Sequence, residues 1–386
     1  MTKVLIAGTF DIIHPGHINL IKQARELGDF LVATIARDQN VIKIKGRSPY
    51  YPERQRLENL KNLHIADKVI LGDLVNPYKM MAEEQPNVIA LGYDQQTFVN
   101  GLTDYRVNSR THFDIKRLQP FKEDFCKGRN IRNAVEDNEA GFLLVNKEQD
   151  WTSHDVVAKL RSITKIKQIG HTGTLDPFAT GLLICAIGPA TKMVGLFDLL
   201  PKTYEATIKL GVESDTYDRT GEIKKSLVLR SSESEGGRNQ ESNINQVEIQ
   251  KILRSFVGKQ QQLPPMYSAK KVKGEKLYNL ARQGIEIERK KCEIEIYGIE
   301  FLGFRGDILD IKVKCSAGTY IRSLAYDLGQ KLGCGAILWE LKRTAIGDFN
   351  LNNAVNLAAI TADAWQQLKI LPLLALEQIN QTALGF

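Results

Sequence analysis

Two stretches of the chain carry residue types and spacings that could do chemistry. The first is GHTGTLDPFATG, Gly170 to Gly181. Three glycines and a proline crowd it, so it cannot be a helix or a regular strand. The proline pushes Asp176, the residue before it, toward an extended backbone. Gly173 permits a close approach and a positive φ. The apolar run LLICAI follows and reads as a buried strand. One carboxylate, Asp176, therefore sits on a stiff loop packed against the core, with His171, Thr172 and Thr174 beside it. Such a carboxylate can serve as nucleophile or general base. An isolated Asp-Pro more often caps its own loop through backbone hydrogen bonds.

The second stretch is GTFDIIHPGH, Gly8 to His17. The two histidines of HPGH stand where a first strand meets a first helix. A helix N-terminus offers unpaired N–H groups and a positive dipole end, which suits phosphate. Histidines there can donate hydrogen bonds to phosphate oxygens as charge builds during phosphoryl transfer.

The elements that must position these residues follow from periodicity. VLIA reads as a strand, and Leu20, Ala24 and Leu27 recur at helical spacing until Gly28. FLVATIA is the next strand, and Pro52 fits the first turn of a helix carrying Leu57, Leu60 and Leu63. KVIL and VIAL read as further strands. Strands alternating with helices imply a parallel sheet with helices on both faces, an α/β fold. NAVEDNEA, Asn133 to Ala140, is polar and acidic and reads as a linker. The domains expected are 1–136 and 137–386. In the second, GFLLVNK is a strand and a helix starts near Ser153 or Asp155. Thr203 to Leu210 is a strand, and CSAGTYIRSLAYDLG is a strand end, a glycine turn and a helix.

Composition narrows the class. The chain has 386 residues, a formal charge of +7 and 43% apolar residues, ordinary for a soluble protein of two or three domains. No apolar run reaches a membrane span. Five cysteines, with no C-x-x-C pair, argue against a zinc site and a disulfide framework and point to a reducing cytoplasm. The charge alone is weak evidence for nucleic acid, but Ser268 to Lys291 holds eight basic residues against three acidic ones. Ser226 to Gln246 is polar and reads as an exposed insertion.

GHTGTLDPFATGLL resembles the catalytic loop of the TruB-type tRNA pseudouridine synthases, and the resemblance runs from about residue 141 to 375. It implies a mixed α/β domain that isomerises a uridine in the T arm of tRNA, conventionally position 55, without cofactor or metal. It implies that Asp176 is the catalytic residue, that Tyr204 stacks on the target base, and that Arg322 pairs with Asp176. LPPMYSAKKVKGEKLYNLARQG is similar to the segment that closes over the tRNA arm, so Lys270, Lys271, Lys273 and Lys276 would meet phosphates beside His171 on the RNA side. The family often has Pro and Gly where this chain has Glu148 and Asp150, a turn change far from the chemistry in sequence. A further C-terminal RNA-binding PUA domain, frequent in relatives, is expected to be absent.

GTFDIIHPGH, with KGRSPYYPERQRLENL and VIALGYDQ, is similar to the cytidylyltransferase-like nucleotidyltransferases over roughly the first 130 residues. Within them it looks most like small archaeal-type FAD synthases and glycerol-3-phosphate cytidylyltransferases. The resemblance implies a Rossmann-like fold, an NTP with Mg²⁺ and a phosphorylated small-molecule acceptor. Thr9, Phe10, His14 and His17 would line the triphosphate site, and Gly92, Tyr93 and Asp94 would lie near the nucleotide. Relatives carry small hydroxyl residues at the start of the last helix. This chain has CKGRNIR there, where Lys127 or Arg129 could supply charge. The rival readings are a non-catalytic tRNA-binding protein and a chain whose main activity is nucleotidyl transfer.

Overall fold

The structure, a computed structural model, describes residues 1–76, 78–96, 101–102, 105–106, 112–226, 245–267, 271–272, 275–276 and 289–385. They form two compact units. Unit 1 is Met1–Ala140 with Leu371–Phe386, and unit 2 is Gly141–Ile370.

Unit 1 runs β1 (Lys3–Gly8), α1 (Pro15–Arg25), β2 (Phe30–Ile35), α2 (Asp38–Lys45), α3 (Glu53–Lys61), β3 (Lys68–Leu71), α4 (Lys79–Glu84), β4 (Val88–Leu91), β5 (Asp114–Arg117) and α5 (Gly128–Glu136). The strands form one sheet in the order β3-β2-β1-β4-β5, every pair parallel. Central strands of such sheets are covered on both faces and so read as unbroken apolar runs. Val4, Leu5 and Ile6 of β1 and Leu31 to Ile35 of β2 are accordingly buried. Pro15 opens α1, where its missing N–H is no loss. The strand order reverses between β2 and β4, either side of β1. Ligand crevices in open α/β sheets lie beyond the strand C-termini at such a point.

The boundary differs from the expected one. Unit 1 extends to Ala140 and regains the last helix, Pro372–Leu384, which sequence reading placed with the second domain. That helix buries Ala375, Leu376 and Ile379. Its Asn380 donates to the carbonyl of Ile13 at 3.0 Å, and Lys22 donates to the carbonyl of Ala383 at 2.8 Å. Its apolar face explains why it needs a partner, but nothing local says that the partner lies over 350 residues away.

Unit 2 opens with β6 (Gly141–Lys147) and α6 (Ser153–Thr164), whose start is fixed by a reciprocal cap between Thr152 and Asp155. Then come β7 (Ile169–His171), β8 (Thr180–Ile187), a 3₁₀ stretch (Gly188–Leu199), β9 (Lys202–Leu210), β10 (Val212–Ser214) and β11 (Ile223–Lys225). They are followed by α7 (Gln246–Arg254), β12 (Gly258–Gln262), β13 (Lys271–Val272), β14 (Glu275–Lys276), β15 (Cys292–Arg305) and β16 (Ile308–Cys315). The unit closes with α8 (Ile321–Leu332), β17 (Ala336–Ile346), β18 (Phe349–Asn350), β19 (Val355–Asn356) and α9 (Trp365–Leu368), so the last helix of the chain is α10. The main sheet is mixed, with the path β12-β15-β16-β9-β17-β8-β6-β19. No helix among the described residues is long and apolar enough to cross a membrane.

The loop expected over Gly170–Gly181 is shorter than the motif. Gly170 and His171 lie in β7, and Thr180 and Gly181 in β8. Gly181 cannot be replaced without movement: its φ is +100°, and a Cβ there would sit 2.3 Å from the carbonyl oxygen of Arg343.

Candidate functional sites in the two units

In unit 2 the Asp176 loop is stitched down from below. Ser153 Oγ accepts from the Leu175 amide at 2.9 Å, and the Asp150 amide donates to the Pro177 carbonyl at 2.9 Å. Lys147, fully buried, donates to the carbonyls of Glu148, Trp151 and Pro177. Burial lowers its pKa to about 8. The turn at residues 148–150 is therefore in contact with the loop, although it is distant in sequence. Asp150 there has φ +67°, a left-handed conformation that Asp tolerates better than most residues. Gly173 has φ +84°, and its carbonyl accepts from Arg343 Nη2 at 3.0 Å.

Asp176 meets Arg322 two-pronged, with Nε to Oδ2 at 3.0 Å and Nη2 to Oδ1 at 3.1 Å. Arg322 is only 4% exposed. Its remaining donors also have acceptors. Nη2 donates to the Tyr267 carbonyl at 2.7 Å, while Nη1 meets the Thr216 carbonyl at 3.3 Å and Asp218 Oδ2 at 3.4 Å. A third of the Asp176 side chain stays accessible. Burial pushes its carboxyl above the ordinary range, Asp218 adds to this, and Arg322 and Lys147 oppose it. Fork-to-fork pairing fixes orientation as well as charge.

Tyr204 lies on β9, paired with Val313 on one side and Arg343 on the other. It is buried in one core cluster with Leu175, Phe178, Ala179 and Ile321. Burial raises its phenol pKa, and the charge of Arg343 opposes this. His171 is half-buried, and its Nδ1 has no partner among the described residues. Burial, Arg343 and His154 lower its pKa. The structure thus brings Asp176, Arg322 and Tyr204 into one neighbourhood. Lys270 and Lys273 lie outside the described residues, and Lys271 and Lys276 fall in the paired strands β13 and β14. Sequence reasoning missed Asp218, Arg343 and Lys147. A buried charge satisfied by distant carbonyls or an arginine leaves no local pattern to find.

In unit 1 all nine residues singled out for nucleotide line one cleft of about 1260 Å³. His14 caps α1, and its ring lies 3.8 Å from that of His17, centre to centre. The Nδ1 atoms of both have no partner among the described residues, nor does Thr34 Oγ1, also on the cleft wall. Burial holds His14 well below the usual range and His17 at about 4, with His17 and Lys45 respectively adding to the effect. Lys45 donates to Thr9 Oγ1 at 2.9 Å, and Arg132 stands 3.6 Å from Asp11. Arg117 Nη1 ties down the carbonyls of Gly92 and Tyr93 at 2.9 and 3.0 Å. Lys45, Arg132 and Asp11 were not foreseen. At the CKGRNIR position, α5 begins at Gly128 with no side-chain cap, and burial pushes the Cys126 thiol up to about 11. Among the described residues no group of three His, Cys, Asp or Glu could hold a metal. A Mg²⁺ bound chiefly by substrate phosphates needs only one or two carboxylates, and Asp11 and Asp94 line the cleft.

Residues 161–321 match the TruB family pseudouridylate synthase N-terminal domain, and residues 322–374 match the tRNA pseudouridylate synthase B C-terminal domain. Over 230 residues the chain is 47% identical to tRNA pseudouridine synthase B of Clostridium tetani, covering 60% of this chain and 75% of that one. The chain belongs to the TruB family of pseudouridine synthases. Its synthase unit is thus of an isomerase family. Residues 5–138 match the cytidylyltransferase-like family, so unit 1 carries that second fold. Among solved structures, the chain is similar to one in a Cbf5-Nop10-Gar1 complex, at 26% identity and a TM-score of 0.45, over 64% of this chain and 63% of that one. It is also similar to a lipopolysaccharide core biosynthesis protein from Thermoplasma volcanium, at 34% identity and a TM-score of 0.30, over 32% of this chain and 99% of that one.

Proposed function

We propose that unit 2 converts the T-arm uridine of tRNA, position 55, to pseudouridine, with Asp176 as nucleophile. The observation that carries this reading is the two-pronged hold of Arg322 on a carboxylate that is still one-third accessible. The fork favours the ionised carboxylate against the cost of burial and aims it. The target base leaves its stack, and Tyr204 offers it an aromatic face. Asp176 forms a transient bond to the sugar C1′ or the base C6 and is released again at the end, so that overall the bond from C1′ to N1 breaks and a bond from C1′ to C5 forms. C5 loses a proton and N1 takes one, so nothing is oxidised and no group donor is consumed. His171 and Lys270, Lys271, Lys273 and Lys276 hold the RNA, the lysines through phosphates. Tritium release from tRNA labelled at uridine C5 tests the assignment: Asp176→Asn should bind tRNA and release none, and release near the wild-type rate overturns it.

For unit 1, the unpartnered imidazole nitrogens of His14 and His17 favour a second reading, nucleotidyl transfer from an NTP to a phosphorylated acceptor. The cleft cations Lys45, Lys127, Arg129 and Arg132 would meet phosphate oxygens. Pyrophosphate release from NTP, Mg²⁺ and candidate phosphate monoesters tests it, with His17→Ala as the control that should release none.

A further inference from the structure

The turn from Ser214 to Thr220 does more than close a hairpin. Asp218, 2% exposed, receives Thr216 Oγ1 at 2.8 Å, the Thr220 amide at 2.8 Å and Thr220 Oγ1 at 2.5 Å, all on Oδ1. That leaves Oδ2 for Arg322. The same turn gives the guanidinium the Thr216 carbonyl. So the side of Arg322 that faces away from Asp176 is held by residues 216 and 218.

Tyr217 lies between them, with φ +61°. A bulky residue in that region is an outlier, and its strain persists only where the surroundings over-determine it. Here they do. The Tyr217 carbonyl accepts from the Leu338 amide at 3.0 Å, and the Arg219 amide donates to the Leu338 carbonyl at 3.1 Å. The Tyr217 ring stacks on Tyr326 at 4.2 Å with a 20° tilt. Tyr326 is one helical turn along α8 from Arg322, on the same side. Arg219 lies over the ring of Phe178, two residues beyond Asp176, at 5.7 Å.

We infer that Tyr217 is a positioning residue for the Asp176–Arg322 pair, pinning Asp218 to the guanidinium by stacking on the helix that carries Arg322. The inference rests on Asp176 being the nucleophile. Its content is geometric: α8 presents Arg322, and the stack sets the distance between α8 and the turn that clamps the far side of the fork. Loosening the stack lets Asp218 drift and the fork tilt away from Asp176. The charged groups that bear on Asp176 come from three places, Arg322 of α8, Asp218 of the turn and Lys147 of β6. With Lys147 untouched, a weaker hold by Arg322 lets Asp176 take a proton at higher pH.

The test uses the full chain and unmodified tRNA, with single-turnover tritium release measured across pH. Tyr217→Asn keeps a residue that tolerates the left-handed backbone and removes the stack. Its rate should fall on the order of tenfold, with tRNA binding unchanged and the acid limb moved to higher pH. Tyr217→Phe keeps the ring and should restore the wild-type rate and limb. Tyr326→Leu removes the other half of the stack without touching residue 217 and should match Tyr217→Asn. The double variant should add nothing further. A wild-type rate and acid limb in both Tyr217→Asn and Tyr326→Leu overturn the inference, even if both melt earlier, because then the stack only stabilises the fold. A Tyr217→Phe protein as slow as Tyr217→Asn also overturns it, because the hydroxyl and not the ring would matter. Should Asp176→Asn turn over in the same assay, the nucleophile reading fails, whatever the Tyr217 variants do.

Discussion

Arg322 has acceptors for all its donor groups in the free protein, whereas His14, His17 and Thr34 each present a buried polar atom with no partner among the described residues. The Asp176–Arg322 pair carries its own counter-charges, while His171 Nδ1 and Thr172 Oγ1 on the same loop, like the unit 1 atoms, have no partner among the described residues. The cleft of unit 1 is lined by cations and neutral imidazoles that would gain partners from an anion. The difference teaches where each site's order comes from. A pre-paired site has little to reorganise when the reaction begins. A site with unmet polar groups gains most of its order from the ligand, so ligand binding should stabilise it strongly.

The largest expected effect breaks the pre-paired side. Asp176→Asn should lower pseudouridine formation at least about a thousandfold, because an amide keeps the shape and cannot attack. Tritium release measures it. Arg322→Lys is next. It keeps the charge and loses the planar fork, so the single-turnover rate should fall roughly a hundredfold with tRNA affinity held. A wild-type rate would show that pairing with Asp176 does not set the geometry.

The ligand-dependent side is sharpened by calorimetry. A nucleoside triphosphate with Mg²⁺ at a hundred times its dissociation constant should stabilise unit 1 by about 2.7 kcal/mol. No shift with any of the four nucleotides would leave the cleft without a nucleotide. Proton linkage gives a second handle. The His17 imidazole is held at about 4 against an unfolded value near 6.5, so the unfolded chain binds more protons between these pH values. The stability of unit 1 that depends on a neutral His17 is whole above pH 6.5 and is lost as pH falls toward about 4. His17→Asn should flatten that slope. Bound phosphate favours imidazolium, so nucleotide should bind more tightly at pH 6 than at pH 7.

The smaller effects concern holding and boundaries. Changing Lys270, Lys271 and Lys273 to Gln should make the log–log salt slope of tRNA binding shallower by roughly 0.7 to 0.9 per lost contact. An unchanged slope would mark those lysines as a solvated face. The smallest expected change is in an excised 141–370 piece, which should turn over much like the full chain. A 137–386 piece should aggregate more, since it keeps α10 without its partner. Burying Leu376 and Ile379 contributes about 3 to 6 kcal/mol that this piece forgoes.

Legibility followed locality. The Asp176 loop, β8 and α1 were readable because glycine, proline and apolar spacing state local geometry. Arg322 was readable only through its motif, since an arginine on an amphipathic helix looks like a surface residue until its partner is known. Asp218 gives no local signal, because its value comes from an arginine over a hundred residues away. The turn at Glu148–Asp150 was judged remote, yet the Asp150 amide and Lys147 both hold the Pro177 carbonyl. Distance along the chain misled there, as it did for α10.

The place of α10 also sets a timetable. Unit 1 is interrupted after Ala140 and resumes only at Leu371. At roughly 5 to 20 residues per second, the ribosome needs on the order of ten to fifty seconds to make what lies between. For that interval the nascent first unit lacks the helix that holds the Ile13 carbonyl, one residue before His14. The synthase unit is complete before the helix that completes unit 1 exists. A message cut short after Ile370 would therefore yield a chain with its isomerase site built and its HPGH turn unsupported.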